Sequence, residues 1–556
     1  MATGVDTKVV DVEGPKDIEK TEDAGTETLR HSHVEVAAVD EVYTRKVYVF
    51  NKIINEHIGM NAWQWWLLVV AGMGWFVDNA WLQMVALILP QVRAEFFTAQ
   101  ELEQQPHKSA FLTLSMFAGT VVGSIFWGYL ADVIGRRPSF NITLLLCGVF
   151  GIAAGGAKSF AALASLFGIA SFGIGGSLPV DGMLFLEFLP GSHQYLLTLL
   201  SVSWSLGQLV TSLIGWGFIS GWNCATHEDC GNLYNSQGWL ELNLGWRYVV
   251  FTTGAYTLFC FFVRFIVFPL PESPKYYLAN GRDAQAVRAM HKFAALCGKP
   301  LPEGMLTVAS LREAAGEPPA DEYEEVPEKP KGLVARCKNW FTEVRENVHH
   351  AKHVSLYHQI KPLFSSWALG YTTSMTWFLW LLIGLAYPLF NSFIVAYLGS
   401  SGDTSLSKTY RNYVIISVCG VPGSVIGAWM VTWPRSGRRG AMAIGTLLSG
   451  VFLFGFTGVG ANANGQLAFF SVTNFFENIM YGVLYCYTPE SFPAPLRGTA
   501  DGIAAMLNRL MGIVATLIYI YTTSTDPPIY TSATLFLVAG LLMLTLRVET
   551  AARTSI

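Results

Sequence analysis

The sequence contains twelve apolar stretches, each long enough to cross the hydrocarbon core of a membrane as a helix. The first six cover about 63–89, 109–130, 139–157, 160–188, 194–220 and 247–270, and the second six about 367–398, 410–433, 441–460, 466–488, 499–523 and 529–546. A core of about 30 Å needs roughly 20 helical residues per crossing. With 52% hydrophobic and 14% charged residues, the chain has too few charges to cover a soluble protein of this size. The sequence therefore predicts an all-α membrane protein with twelve transmembrane helices in two bundles of six.

Charged residues indicate how the apolar stretches are oriented. Basic residues favour the cytoplasmic side, and they fall in alternate connections, at Arg136, Arg137, Lys275, Arg435, Arg438, Arg439, Arg497 and Arg547. The first 48 residues are polar and acidic and lack the apolar core of a signal peptide. We predict a cytoplasmic tail over 1–62, a six-helix bundle over 63–270, a cytoplasmic loop over 271–366, a second six-helix bundle over 367–546 and a cytoplasmic tail over 547–556. Within the loop, a helix is predicted from Asp283 to Leu296.

The connection between the second and third apolar stretches carries a distinctive motif. An acid and two arginines stand in a tight turn with the pattern Gly-x-x-x-Asp-x-x-Gly-Arg-Arg, formed by Gly128, Asp132, Gly135, Arg136 and Arg137. About three hundred residues later a partial copy keeps Gly437, Arg438 and Arg439 but has Pro434 at the acid position. Repetition of this kind is typical of membrane proteins built from two related halves.

These features resemble the major facilitator superfamily, and the resemblance covers about 60–546. The signature between the second and third helices matches at every marked position. Other segments are similar to sugar porters and synaptic-vesicle-2-related transporters, namely 173–180, 187–190, 271–274 and 487–493 followed by Arg497 and Gly498. The Asp78-Asn79 pair and Arg509 are more similar to the vesicle-2-related group, which includes organic-ion and fungal members. The stretch 372–398 lacks the Gln-Gln pair with which sugar porters hold hydroxyl groups.

The resemblance implies two six-helix bundles that expose a midplane site to each side of the membrane in turn. It implies a proton-coupled secondary transporter of a small polar organic solute, with a carboxylate or organic ion favoured over a hexose. A sugar transporter or metabolite exporter of the same fold and a non-transporting membrane receptor are the alternatives. We expect a monomer in the plasma membrane, with the vacuolar or a vesicular membrane as alternatives.

Charged residues near the cytoplasmic ends of the helices are candidates for a gate. Asp132, Arg136 and Arg137 can pair with Glu187 and Glu272, and a second set contains Arg438, Arg439, Glu490 and Arg497. Ion pairs of this kind could hold the cytoplasmic side closed and break when the halves move apart. The alternative is that the arginines only fix the topology of the chain.

Ionisable residues deep in the apolar stretches are candidates for binding substrate or protons. Asp78, Asp181, Glu477 and Arg509 lie there, and a charge near the centre of a bilayer costs about 2.5–3.5 kcal/mol even on the lenient insertion scale. The acids could take up protons outside and release them inside, and Arg509 could hold a substrate carboxylate or neutralise a deep acid. Hydrogen-bonded structural carboxyl groups are the alternative. Polar and aromatic candidates for lining a cavity are Trp75, Asn79, Trp81, Gln83, Gln208, Trp377, Tyr387, Asn391, Asn474 and Tyr481.

Other classes of site find little support in the sequence. No nucleophile with a neighbouring base, no cluster of metal ligands and no phosphate-binding loop is recognisable, so we predict neither an enzyme nor a cofactor, a metal site, or nucleotide or nucleic-acid binding. Cys224 and Cys230 lie in a loop predicted outside the cytosol, where a disulfide could persist. Free thiols are the alternative for this pair.

Overall fold

The computed structural model of the chain describes residues 41–224, 243–268, 270–318, 342, 345, 360–395, 398, 405–433, 435–459, 462–522 and 526–549, with the backbone alone at 494, 495 and 526. The described secondary structure is entirely helical. Twelve long helices, labelled α1–α12, are Ala62–Phe96, Phe111–Ile134, Arg136–Gly155, Phe160–Glu187, Leu196–Ile219, Leu244–Val267, Trp367–Asn391, Leu406–Met430, Gly437–Thr457, Ala463–Glu490, Ala494–Tyr521 and Asp526–Leu544. The predicted fold class is confirmed.

Helix α1 differs in composition from the other long helices. Eleven spans of the described chain, which correspond to α2–α12, meet a criterion of length and hydropathy for crossing a membrane. At 35 residues, α1 is the longest of the twelve helices. At 1.5 Å per residue this corresponds to about 50 Å. Buried polar residues dilute its apolar character, including Gln64, Asp78, Asn79, Gln83 and Gln91. The long helix that does not meet the hydropathy criterion therefore carries several of the buried polar side chains.

The long helices pack first within their own half of the chain. In the first half, α1 packs on α5, α3 on α6, and α4 on both α2 and α3; in the second half, α7 packs on α11 and α12, α10 on α8, and α9 on α10 and α12. The halves meet along α2 with α11, α5 with α8, and α5 with α10. The space between the halves is therefore bounded by α1, α2, α5, α7, α8, α10 and α11.

Close packing in α4 depends on small residues. This helix is interrupted at Gly175 and Gly176. A Cβ atom on Gly175 would lie 2.4 Å from the carbonyl oxygen of Thr120, and one on Gly173 would lie 2.5 Å from that of Thr143. Such distances cannot accommodate a methyl group, so glycine at these positions lets α4 lie directly against α2 and α3.

Short helices form a layer at the end of the bundle that carries Arg136 and Arg438, which is called the cytoplasmic end below because of its basic residues. The central loop contributes Pro274–Ala279, Asp283–Leu296 and Val308–Ala315, and the second of these is the helix predicted from the sequence. The segment before α1, expected to be a polar tail, contains a helix at Glu41–Lys52. Lys46 of that helix lies 2.7 Å from Asp283 and 2.6 Å from Glu317. The N-terminal helix is therefore docked on the central loop by two ion pairs, of which the one with Asp283 is buried.

Candidate functional site

The two halves of the chain touch at both ends of the membrane-spanning bundle. At the cytoplasmic end, a Cβ atom on Gly128 of α2 would lie 3.3 Å from the Cα atom of Gly502 in α11. At the opposite end, the Tyr410 hydroxyl of α8 donates a hydrogen bond to the carbonyl oxygen of Leu87 in α1, at 2.7 Å. The halves are therefore in contact at both ends of the central space.

The first-half gate candidates gather around the start of α3. Arg136 forms a buried ion pair with Glu187 and lies 3.8 Å from Asp132. The Glu272 carboxylate accepts hydrogen bonds from the backbone N–H groups of Arg136 at 3.0 Å and Arg137 at 3.2 Å. A carboxylate at this position also complements the positive end of the α3 dipole. Gly135, with φ of 103°, supplies the turn that separates α2 from α3.

The second half repeats this arrangement with different residues. The Arg438 guanidinium donates to both oxygens of Glu490, at 3.1 and 3.2 Å. The Glu549 carboxylate accepts from the backbone N–H groups of Arg438 at 2.9 Å and Arg439 at 3.3 Å. Glu549, which the sequence analysis did not place in the gate, thus follows α12 as Glu272 follows α6. That shared position after the last helix of each half is the signal that could have identified it.

These ion pairs each join residues of one half, whereas Asp132 makes a contact between the halves. A Cβ atom on Gly498 of α11 would lie 2.8 Å from Oδ2 of Asp132. The carboxylate therefore lies against the first turns of α11, whose positive dipole end favours a negative charge. Arg497, beside it, donates to the carbonyl oxygens of Pro489 at 2.6 Å and Phe492 at 3.1 Å. Arg497 thereby fixes the turn between α10 and α11.

The cytoplasmic layer closes over this gate. Tyr43 of the N-terminal helix is buried, and desolvation raises the pKa of its hydroxyl group to about 12 against the opposing influence of Arg136 and Arg497. Lys275, just after α6, is also buried, and desolvation together with the same two arginines lowers the pKa of its amine to about 7. The layer thus places a tyrosine and a weakly basic lysine next to arginines from both halves.

A cavity of about 30 Å³ lies between the halves near the middle of the helices. That volume holds about two water molecules, so the cavity has no room for a solute in this conformation. The polar and aromatic residues of its lining include Gln83, Trp204, Tyr387, Asn391, Tyr481, Tyr485, Asn508 and Arg509. Of the residues predicted to line a cavity or to bind substrate or protons, Gln83, Tyr387, Asn391, Tyr481 and Arg509 therefore line it. Trp204, Tyr485 and Asn508 were missed, because aromatic and amide residues are common in membrane helices and only their position marks these three.

An ion pair between the halves lies at the cavity. Arg509 of α11 donates to both carboxylate oxygens of Asp78 in α1, at 3.2 Å each. Both side chains are buried. Next to Asp78, the side chain of Asn79 donates to the carbonyl oxygen of Trp204 at 2.7 Å. Gln83, one turn further on, donates to the Tyr387 hydroxyl at 3.0 Å and so connects the two halves as well.

Asp181 lies elsewhere, inside the first bundle. Arg264 of α6 donates to its two oxygens at 2.7 and 3.2 Å and also to the carbonyl oxygens of Val70, Ala71 and Phe140. The Arg264 guanidinium stacks on the Phe140 ring at 3.8 Å. This arginine was not singled out from the sequence, because near the end of a helix it could equally reach out to the membrane surface.

The remaining polar candidates have separate surroundings. Glu477 of α10 lies next to Asn391, whose side-chain amide donates to it at 3.5 Å. Asn474 donates to the carbonyl oxygen of Ile416 at 2.9 Å and so joins α10 to α8. Gln208 is buried in α5 and does not line the cavity. Cys224 is disulfide-bonded, but Cys230 lies outside the described residues, so their pairing stays a prediction.

Comparisons with known proteins agree with this geometry. The family model described as Major Facilitator Superfamily matches residues 65–516. The chain is 41% identical to "MFS siderochrome iron transporter 1" of Ceriporiopsis subvermispora over 94% of both chains. It is 25% identical to "Niacin transporter NiaP" of Acinetobacter baylyi over 83% of this chain and 88% of that protein. Among solved structures, the proton:xylose symporter XylE bound to 6-bromo-6-deoxy-D-glucose superposes with a TM-score of 0.62 at 16% identity, over 89% of this chain and 98% of that one.

Proposed function

The chain belongs to the major facilitator superfamily and is a membrane transporter, and we propose that it carries a small organic carboxylate together with protons. The observation that carries this proposal is the Asp78–Arg509 ion pair at the central cavity. A guanidinium group binds a carboxylate through two parallel hydrogen bonds. Arg509 is therefore the group in the cavity lining that is suited to the anionic end of such a solute.

Asp78 gives a physical route to proton coupling. While its carboxylate holds Arg509, a substrate carboxylate has to compete for the same N–H groups. A proton on Asp78 removes that competition and frees the guanidinium for the substrate. Binding of the proton and of the anion then favour each other, which is the reciprocal coupling that symport requires.

Aromatic residues of the lining fit a flat ring beside the carboxylate. Tyr387 and Tyr481 meet edge to face with ring centroids 5.0 Å apart, and Trp204 lies 5.4 Å from Tyr481. Aromatic side chains offer large apolar surfaces with polar edges. The similarity to the niacin transporter of Acinetobacter baylyi supports the same class of solute, since niacin is an aromatic carboxylic acid.

The test is uptake by the purified protein in proteoliposomes, with radiolabelled nicotinate as the probe. We expect uptake to increase when the outside is made more acidic than the inside, and to decrease when unlabelled aromatic carboxylates compete. Xylose and glucose should not compete. Uptake that is indifferent to the proton gradient would remove the coupling, and strong competition by a hexose would reverse the substrate class.

A second candidate substrate is a ferric siderophore complex. It is favoured by the 41% identity of this chain to the siderochrome iron transporter of Ceriporiopsis subvermispora. The same proteoliposomes, supplied with a radioactive iron complex of a hydroxamate siderophore, distinguish the two. Accumulation of iron without competition by nicotinate would select this candidate.

We further propose that a single chain suffices and that it works in the plasma membrane. Support for the first point is that the cavity is bounded by helices of one chain. Fluorescence microscopy of a tagged protein tests the location, and a signal on vacuoles or vesicles would contradict it. Cross-linking in the membrane tests the monomeric state.

A further inference from the structure

Glu477 and Asn391 form a buried polar pair that is only partly satisfied. Glu477 is 1% exposed and Asn391 is 3% exposed. Their one mutual hydrogen bond is long, at 3.5 Å from the Asn391 amide nitrogen to Oε2 of Glu477. Among the described residues, Oε1 of Glu477 and Oδ1 of Asn391 have no hydrogen-bond partner. Buried oxygen atoms are normally hydrogen-bonded, so these two indicate that the pair lacks a donor hydrogen, which a proton on Glu477 would supply.

No cation of the described chain is paired with Glu477. The titratable groups that face it are Tyr387 of α7 and Tyr481 of α10 itself, with Tyr413 of α8 and Arg509 of α11 beyond them. Helix α5 has no titratable residue, and those of α9 are the arginines at its cytoplasmic end. Arg509 is held by both oxygens of Asp78. An ionised carboxylate in such surroundings is costly, whereas a neutral carboxyl group can donate a hydrogen bond to an amide oxygen.

We infer that Glu477 is a second proton-binding residue of the transport cycle and that Asn391 passes its protonation state to the cavity. When Glu477 is ionised, the Asn391 amide donates its N–H group to Glu477, and its oxygen is available to the cavity that Asn391 lines. With the proton, the Glu477 O–H donates to that oxygen, the amide turns over, and its N–H group is offered to the cavity. A donor beside Arg509 attracts a substrate carboxylate, while an oxygen atom repels it.

This inference rests on the proposed function and adds a stoichiometry to it. One proton on Asp78 and one carboxylate carry no net charge across the membrane. A second proton on Glu477 makes each cycle move one positive charge inward. The proton taken up from the outer solution is released to the inner solution when the carboxylate has left. Accumulation should therefore respond to voltage by about 50-fold per 100 mV, negative inside, at equilibrium.

The experiment compares wild type, Glu477→Gln and Glu95→Gln in proteoliposomes with radiolabelled nicotinate, under a potassium diffusion potential set by valinomycin. The glutamine of Glu477→Gln permanently offers an N–H group to Asn391, as the protonated glutamate would. We expect accumulation of nicotinate by this variant to lose its response to voltage. Glu95, whose carboxylate binds Arg247 at 2.6 Å far from the cavity, is the matched control and should keep the response.

The outcomes separate this inference from the proposed function. Wild-type uptake that ignores the proton gradient overturns the proposed function and this inference with it. Proton-driven uptake by wild type that does not respond to voltage overturns this inference alone, and it does so even if Glu477→Gln fails to fold. A voltage response that is the same in Glu477→Gln and wild type also overturns it.

Discussion

Asp78 of α1 and Arg509 of α11, 431 residues apart in the sequence, form an ion pair that joins the two halves of the transporter at the central cavity. Both side chains are buried, so bulk solvent contributes little to stabilising either charge. The pair therefore has to be rearranged, by a proton or by a substrate, before the halves can move apart at this level.

Replacing Asp78 with asparagine should leave Arg509 charged and unpaired. We expect the free energy of unfolding to fall by about 3–5 kcal/mol, as for other buried pairs that lose one partner. Accumulation of substrate under a proton gradient should fall by about tenfold per pH unit, since one proton fewer is carried. Thermal unfolding in detergent and uptake by proteoliposomes measure the two effects. Asp78→Glu is the control and should retain the response to the gradient; an unchanged response in Asp78→Asn would show that Asp78 carries no proton.

The Asp181–Arg264 pair should behave as a structural element. Replacing Arg264 with methionine leaves Asp181 buried without its cation, and we expect a loss of about 3–5 kcal/mol in the free energy of unfolding. Combining it with Asp181→Leu should restore most of that stability, because an apolar pair can replace a buried ion pair. The double variant should keep wild-type proton coupling. A double variant that folds but no longer responds to the proton gradient would assign Asp181 a role in coupling.

Lys46 should anchor the N-terminal helix to the central loop. Its amine lies between Asp283 and Glu317, so Lys46→Ala would leave the buried Asp283 with one cation fewer. We expect faster hydrogen exchange across residues 41–58 and little change in the membrane helices. Lys52→Ala, in the last turn of the same helix, is the control. If hydrogen exchange across residues 41–58 is the same in Lys46→Ala and Lys52→Ala, apolar packing of Val47 and Phe50 alone holds the helix in place.

Lys275 should make the stability of the cytoplasmic layer depend on pH. Burial and neighbouring arginines lower the pKa of its amine from 10.5 to about 7, so between these values the unfolded chain binds a proton that the folded chain does not. The free energy of unfolding should therefore rise by up to roughly 1.4 kcal/mol per pH unit as the pH increases from about 7. This gain in the free energy of unfolding is lost as the pH falls to 7 and below, where Lys275 is protonated in both the folded and the unfolded chain.

Thermal unfolding of the purified protein over this pH range measures the effect of Lys275. Lys275→Met should flatten the dependence and stabilise the protein most at the low end of the range. Lys158→Met, an exposed lysine at the opposite end of the bundle, serves as the matched control. A slope that persists in Lys275→Met would assign the titration to another group.

Several gate positions and their partners within each half could be located from the sequence, but not the contact between the halves. The Gly128–Arg137 motif identified the turn before α3, and the arginines of the second copy identified the turn before α9. The sequence analysis expected these charges to form a latch, yet the ion pairs of Arg136 with Glu187 and of Arg438 with Glu490 stay within their own halves. The reason is that both members of each pair lie at neighbouring helix ends of one bundle. The contact across the halves depends on how closely α2 approaches α11, which local sequence does not encode.

The sequence by itself determined the number of membrane crossings, the duplicated arrangement and the presence of charges deep in α1, α4, α10 and α11. Hydropathy and short motifs are local properties of the sequence, so they can be recognised without knowledge of the fold. Only the tertiary structure decided which charges meet: Asp78 with Arg509, Asp181 with the overlooked Arg264, and Glu477 with the neutral Asn391 alone. Pairing depends on how each helix is rotated about its axis and which neighbour it packs against. Three acids of similar sequence context therefore have three different partners.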